Sequence, residues 1–424
     1  MQTKLSPEFK NSQHGKDAES ILRSCVHCGF CNATCPTYQI LGDELDGPRG
    51  RIYLIKEMLE GGTVGRSTQL HLDRCLTCLN CETTCPSGVQ YGKLVGIGRA
   101  LVEQRVGRPW REKFVRWLLR EALTSSFFAP MVKIATRADR LVPRALRKYV
   151  PRSANPGAAA RPTGRHERKV LLLAGCVQPA LLPNINSATA RVLDACGIET
   201  LIADRAGCCG ALRDHLSDHE GGLDDARRNV DAWWPLVAAG TVDAIVMNAS
   251  ACGLAVKQYG EALEGDSAYA EKAARISALA RDLSELLPRI TPSLKGKLRI
   301  PAGRITFHAP CTLQHGQRLR GGVEAQLAAL GFDVQPSLRD GHLCCGSAGT
   351  YSVLQPMLAR ELRDRKLANL TATNPDKIAS ANVGCIQHLQ SGTDLPVRHW
   401  VELLDEAIQE PGSQGGLSAV PELG

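Results

Sequence analysis

Apolar positions change their period once along the chain. Between Gly47-Pro48 and Gly61-Gly62, Ile52, Ile55, Met58 and Leu59 recur at helical spacing; the Pro suits a first turn and the glycines a stop. The spacing returns at Leu94, Ile97, Leu101 and Val102. Arg108-Pro109-Trp110 can open a further helix, and the stretch after it places Phe114, Trp117, Leu118 and, further on, Met131, Ile134 and Leu141 among Arg and Lys. From Lys169 onward the pattern is different. Short apolar runs at Lys169–Leu173, Ala244–Met247, Arg304–Phe307 and Lys377–Ala379 each lead into a helical pattern, which reads as strands feeding helices. A helical N-terminal part followed by α/β units is expected. Residues 1–16 are polar, unlike a secretory signal, and no apolar run reaches the length of a membrane span.

The α/β half is internally repeated. Cys176, Cys208-Cys209-Gly210 and Cys252 recur as Cys311, Cys344-Cys345-Gly346 and Cys385, at offsets of 135, 136 and 133 residues. Near-equal offsets argue for one folded unit used twice. Cysteines just past strand ends gather at the carboxyl edge of a sheet, where open α/β folds build sites. Adjacent thiols such as Cys208-Cys209 cannot easily bond one another. They can offer two thiolates to one inorganic cluster, and the following Gly lets the backbone pass close to it. Zinc, a redox-active thiol set and a scaffold without metal stay open for both sets. Cys196 lies outside the pattern: its counterpart is Leu330, and it shares a helical face with Val192 and Leu193. It reads as a small buried hydrophobe.

The other eight cysteines form two copies of one box. Cys25, Cys28, Cys31 and Cys35 precede Pro36, and Cys75, Cys78, Cys81 and Cys85 precede Pro86, both in the order C-x2-C-x2-C-x3-C-P. This is the bacterial ferredoxin run for a [4Fe–4S] cube, whose fourth thiolate ligates the other cluster. One cube is therefore expected on Cys25, Cys28, Cys31 and Cys85, the other on Cys75, Cys78, Cys81 and Cys35. Zinc sites use four ligands in two pairs, usually split by a longer spacer. Two complete boxes, each with its Pro, favour iron–sulfur over zinc or disulfides. His27 lies inside a box whose thiolates are already complete, so it is expected beside the cluster or on the surface rather than on the metal.

The expected architecture is multidomain, α then α/β: an N-terminal tail at 1–16, a helical two-cluster ferredoxin domain at 17–104, a basic helical linker at 105–167, CCG units at 168–295 and 300–410, and a C-terminal tail at 411–424. Charge sharpens this division. The net charge is +8, yet Arg105 to Lys169 carries 17 Lys/Arg against 4 Asp/Glu, leaving the rest of the chain acidic. Nucleic acid, anionic lipid or an acidic partner could each meet such a segment. Aromatics are only 4% of the chain, which disfavours binding of nucleic acid by stacking. The linker is expected to bridge the ferredoxin domain to the repeats, with Arg116, Arg120, Arg137 and Arg140 on a basic face meeting lipid or a partner. Seventeen cysteines without an export signal point to reduced thiols and metal or redox work.

Two ferredoxin boxes followed by paired C…CCG…C units resemble the iron–sulfur electron-transfer subunits related to heterodisulfide reductase. The words Cys25-Val-His-Cys-Gly-Phe-Cys-Asn-Ala-Thr-Cys-Pro-Thr-Tyr38, Gly42-Asp-Glu-Leu-Asp-Gly-Pro-Arg-Gly-Arg-Ile52 and His71-Leu-Asp-Arg-Cys-Leu-Thr-Cys-Leu-Asn-Cys-Glu-Thr-Thr-Cys-Pro-Ser-Gly-Val89 look like the iron–sulfur subunits of bacterial glycolate oxidases. The resemblance spans roughly residues 17 to 410. It implies two [4Fe–4S] clusters and one or two further clusters in the CCG units. It implies a separate flavin subunit that oxidises glycolate to glyoxylate, a membrane quinone as acceptor, and a cytoplasmic, peripheral membrane location. No catalytic residue is expected in this chain, and it lacks the Gly-rich dinucleotide turn of a flavin or NAD site. Another hydroxyacid (lactate, glycerol 3-phosphate) or a thiol/disulfide reductase with a CCG-bound cluster is the alternative. One departure stands out. Relatives often end each CCG unit in C-x-x-C, whereas Ala249 and Asn382 stand three residues before Cys252 and Cys385.

Overall fold

A computed structural model describes residues 1–125, 127–137, 161–337 and 339–408. Arg140, Leu141, residues 409–410 of the second unit and the tail at 411–424 lie outside them.

The N-terminal body is helical. Pro48–Leu59 starts with its Pro in the first turn and turns Ile52, Ile55, Met58 and Leu59 into a core with Leu22, Leu72 and Leu94. Gln13–Ser24, Arg66–Asp73 and Tyr91–Arg105 supply the facing surfaces. Two short helices, Phe30–Ala33 and Asn80–Thr84, carry the third cysteine of each box. The first 16 residues are folded rather than a loose tail: Phe9 is buried, Gln13 already begins a helix, and Ser6 N–H donates to Leu59 O at 2.9 Å. One Phe in a polar run has no periodicity to reveal it.

Two four-stranded sheets follow. Strands β1 (Arg168–Leu172), β2 (Ile198–Leu201), β3 (Ala244–Met247) and β4 (Ala280–Asp282) form the first, in the order β2-β1-β3-β4. Strands β5 (Arg304–His308), β6 (Asp333–Gln335), β7 (Lys377–Ser380) and β8 (Val397–His399) form the second, in the order β6-β5-β7-β8. Every pairing is parallel, so each sheet needs helices on its faces and buried central strands. The repeat is thus a repeat of topology. The units also share a core, in which Leu172, Ile185 and Val192 meet Phe307, Ile386 and Trp400. A polar seam fixes their register: Asn184 Nδ2 donates to Glu402 Oε1 at 2.8 Å, and Arg191 pairs with Asp405 at 2.6 Å.

The linker helix Trp110–Thr124 corrects the expected basic outer face. Arg116 and Arg120 point inward, while Arg111 stays exposed. Arg116 pairs with Asp73 at 3.2 Å, and Arg120 reaches Asp218 of the first CCG unit at 3.4 Å. Arg108, just before the helix, pairs with Asp73 and Glu103 at 2.6 Å each. Trp110, Phe114, Trp117 and Leu118 are left exposed, as are Phe127, Met131 and Ile134 beyond them. Carboxylates on both neighbouring bodies outcompete apolar packing for this helix, because buried guanidinium groups need paired charge.

Candidate metal centres

The two boxes fold into the same backbone cage. His27 and Gly29 in the first box, and Thr77 and Leu79 at the matching places in the second, have left-handed φ values of 58°, 88°, 52° and 60°. Alternating left- and right-handed residues turn successive N–H groups into one concavity, which favours an anion such as a thiolate-bound cluster. Three of these four residues carry side chains, so the loops hold strain that a bound cluster can repay.

Cys25, Cys28, Cys31 and Cys85 line a single cleft of about 450 Å³, with Cys81, His27 and Pro86 at its walls. Burial pushes the Cys31 thiol up to about 11, and the neighbouring Cys25, Cys85 and Cys28 add to it. Cys28 is exposed beside the apolar Val26 and Phe30, so this cleft meets the surface. Cys35 lies with the other box. Burial raises Cys78 and Cys81 well above the ordinary thiol range, and both feel Cys75 and Cys35. Cys75 behaves oppositely. Burial raises it, but Arg51 and Arg99, with Thr77 N–H (3.4 Å) and Tyr91 Oη (3.6 Å), bring it below the ordinary value. Arg51 also reaches Cys35 Sγ at 3.9 Å. Donors to a ligating sulfur tune a cluster's potential. These donors were not read from the sequence, although Arg51 stands within the quoted word ending at Ile52.

Both CCG sets assemble at the carboxyl edge of their sheets. Cys176 and Cys311 follow β1 and β5, the paired cysteines follow β2 and β6, and Cys252 and Cys385 sit in the first turn of Ser250–Lys257 and Val383–Gln390. In the first unit, hydrogen-bonding contacts link Cys176 to Cys208, Cys208 to Cys209, and Cys209 to Cys252. In the second, Cys311 and Cys344 Sγ atoms are 3.9 Å apart, Cys344 contacts Cys345, and Cys345 contacts Cys385. Contacts among the sulfurs together with burial raise Cys176, Cys209, Cys311, Cys344 and Cys345 well above the ordinary thiol range, whereas hydrogen bonds from Cys176 and Cys209 lower Cys208, so the first set already favours one thiolate. Asn382, in the place of the missing thiol, donates to Cys385 Sγ at 3.6 Å. The glycine of each CCG word is also required by the backbone around it. Gly210 and Gly346 have φ of 87° and 88°. A Cβ there would stand 2.5 Å from Gly222 O or 2.6 Å from Ala359 O. The glycine lets the loop close on a helix further along, His219–Ala238 in the first unit and Pro356–Thr371 in the second.

The ferredoxin body docks on the second unit through its metal-binding loops. Cys78 feels Cys311, Cys344 feels Cys78, and both pairs share one apolar cluster with Leu76 and Tyr351. Thr83 Oγ1 lies 2.8 Å from His315 Nδ1, and Tyr351 Oη donates to Arg74 O at 3.1 Å.

Cys196 is half-buried at the edge of the shared core, its Sγ 4.0 Å from Ile290 O, with Lys297 and Arg168 as its charged neighbours. Cys196→Ala is expected to leave iron and acid-labile sulfide per chain unchanged, at a cost of about 1 kcal/mol from the lost sulfur. A fall in iron in that variant would make Cys196 a ligand.

Paired thiol sets on a two-box helical body and on duplicated parallel sheets define an iron–sulfur electron-transfer protein. Residues 21–89 match the 4Fe-4S dicluster domain family, and residues 170–257 and 305–390 each match the cysteine-rich domain family. The chain is 51% identical over 411 residues to the glycolate oxidase iron-sulfur subunit of Escherichia coli, covering 97% of this chain and all of that protein. It is 28% identical over 418 residues to the probable glycolate oxidase iron-sulfur subunit of Bacillus subtilis, covering 92% of each. A lactate utilization protein A of Geobacillus thermodenitrificans is 26% identical over 246 residues, 56% of this chain and 98% of that protein. The chain belongs to the family of glycolate oxidase iron–sulfur subunits.

Proposed function

We propose that this chain takes electrons from a flavin subunit that oxidises glycolate to glyoxylate and passes them toward a membrane quinone. One [4Fe–4S] cube sits on Cys25, Cys28, Cys31 and Cys85, the other on Cys75, Cys78, Cys81 and Cys35. Further clusters occupy Cys176, Cys208, Cys209 and Cys252, and Cys311, Cys344, Cys345 and Cys385. Each oxidation releases two electrons, which the cubes relay singly. The observation that carries this reading is the continuity of thiol sets. The first cleft reaches the surface at Cys28, Cys81 borders both boxes, and Cys78 abuts Cys311 and Cys344. The exposed Val26 and Phe30 offer the flavin subunit an apolar landing beside the first cube. Full-length coverage at 51% identity favours glycolate over lactate. Mixing the anaerobic chain with its flavin subunit and glycolate should bleach the cluster absorbance, and lactate should do so poorly. Absence of bleaching with either acid, while the flavin subunit still reduces a dye, would refute the role.

The acceptor side is supported by the linker. No helix among the described residues is long and apolar enough to cross a membrane. The outward Trp110, Phe114, Trp117 and Leu118, flanked by exposed Arg111 and Lys113, suit the interface of an anionic bilayer on the cytoplasmic side. Beneath that helix a cleft of about 480 Å³, lined by Cys75, Thr77, Arg99, Arg116, His215 and Tyr351, reaches the second box at Cys75. Converting the four outward residues to Ser should release the protein from phosphatidylglycerol-containing vesicles, since each apolar side chain contributes about 1.5–3 kcal/mol when buried. A quadruple variant that still sediments with such vesicles rules this face out.

A further inference from the structure

His308 ends β5 three residues before Cys311, and nothing in the cysteine pattern singles it out. The matching place in the first unit, three before Cys176, is Leu173. The His308 ring is buried, at 2% exposure. Its Nδ1 lies 3.0 Å from Ser380 Oγ, and Ser380 Oγ donates its single proton to His308 O at 3.1 Å. The hydroxyl is left as an acceptor for Nδ1–H, so Nδ1 carries the ring proton and Nε2 is a bare lone pair. Burial keeps the ring neutral. Nε2 is sealed from water without a hydrogen-bond partner, and a ring nitrogen of His308 lies with the Sγ atoms of Cys345 and Cys385 in a group whose members are all within 4.8 Å of one another. A ring fixed by a hydrogen bond on one nitrogen and bare on the other, facing thiols, is the arrangement of a metal-binding histidine.

We propose that the metal centre of the second CCG unit is bound through nitrogen as well as sulfur, with His308 Nε2 as a ligand beside Cys345 and Cys385. This rests on the reading that the thiols of that unit hold a metal. It makes the two units chemically unequal, because Leu173 offers the first unit no donor. In an iron–sulfur centre, a neutral imidazole in place of a thiolate removes negative charge and raises the reduction potential. The unit that abuts Cys78 then becomes the stronger electron sink of the two.

The test uses the full chain isolated anaerobically, with iron and zinc measured per chain and X-ray absorption recorded at the edge of the metal concerned. His308→Leu copies the first unit; His308→Cys offers a donor of the other kind. The leucine variant should lose the metal of one centre while keeping the rest, including about eight irons, those of the two four-iron cubes. The cysteine variant should keep the metal but lose the nitrogen contribution to its spectrum. A leucine variant with the full metal complement and an unchanged spectrum would overturn the proposal. Should that variant fail to fold, an undiminished nitrogen contribution in His308→Cys would overturn it equally. A wild-type chain holding only its eight cube irons, and no other metal, would instead overturn the reading of the CCG sets as metal sites, and this ligand with it.

Discussion

Cys78→Ser should stop electron transfer to the quinone while leaving glycolate oxidation by the flavin subunit intact with a dye as acceptor. Cys78 is the thiol of the second box that feels Cys311, and it shares an apolar cluster with Cys344, Leu76 and Tyr351. A serine oxygen there is a poor ligand for iron in a cube. The second cube is therefore expected to be lost or degraded, with a drop of about four irons per chain. With it goes the contact between the ferredoxin body and the second CCG unit. Cys28→Ser should give the same loss of quinone reduction for a different reason, because Cys28 belongs to the exposed cleft at which the proposed relay receives its electrons. Iron analysis, the EPR spectrum of the reduced protein, and parallel assays with a dye and a quinone analogue separate these effects. Unchanged iron together with unchanged quinone reduction in both variants would exclude the relay.

Legibility of the fold from the sequence followed burial. β1, β3, β5 and β7 lie at sheet centres with runs of buried apolar residues, and their apolar runs are visible in the chain. The edge strands β2, β4, β6 and β8 have three or four residues each and mixed burial, too short for any period to register. The cysteines were legible because metal ligation constrains spacing directly. What surrounds them was not, because second partners come from distant segments. Arg51 reaches Cys35 across 16 residues, and Ser380 orients His308 across 72. A periodic pattern also cannot say which stripe of a helix faces inward. For Trp110–Thr124 the answer came from Asp73 and Asp218, 43 residues before and 98 after Arg116 and Arg120 respectively.

Asp46→Ala should be among the most destabilising single substitutions in the ferredoxin body, at about 3–5 kcal/mol, because it strands a buried cation. Asp46 is fully buried, and three cationic or ionisable groups converge on it. Arg74 Nη1 is 2.8 Å from Oδ2, His71 Nδ1 is 3.1 Å from Oδ1, and Arg51 Nη2 is 3.5 Å from Oδ1. Arg51 is itself 1% exposed and donates to His71 O at 2.8 Å and to Thr37 Oγ1 at 3.2 Å. Burial disfavours its charge, but Cys75, Tyr91, Cys35 and Asp46 together hold the guanidinium charged. Two of those partners, Cys75 and Cys35, are proposed ligands of the second cube, so a bound cluster would share the counter-charge with Asp46. The substitution should accordingly cost more in protein stripped of its clusters than in loaded protein. It should also speed loss of the second cube more than loss of the first. The urea midpoint for loss of cluster absorbance, compared with the midpoint for helical circular dichroism in the stripped chain, reads both effects. Adding Arg51→Met to Asp46→Ala should recover part of the loss, since removing both charges of a buried pair costs less than removing one. If Asp46→Ala lowers stability by less than about 1 kcal/mol in both forms, Arg51 is neutralised without Asp46, and the coupling between this ion network and the cluster does not exist.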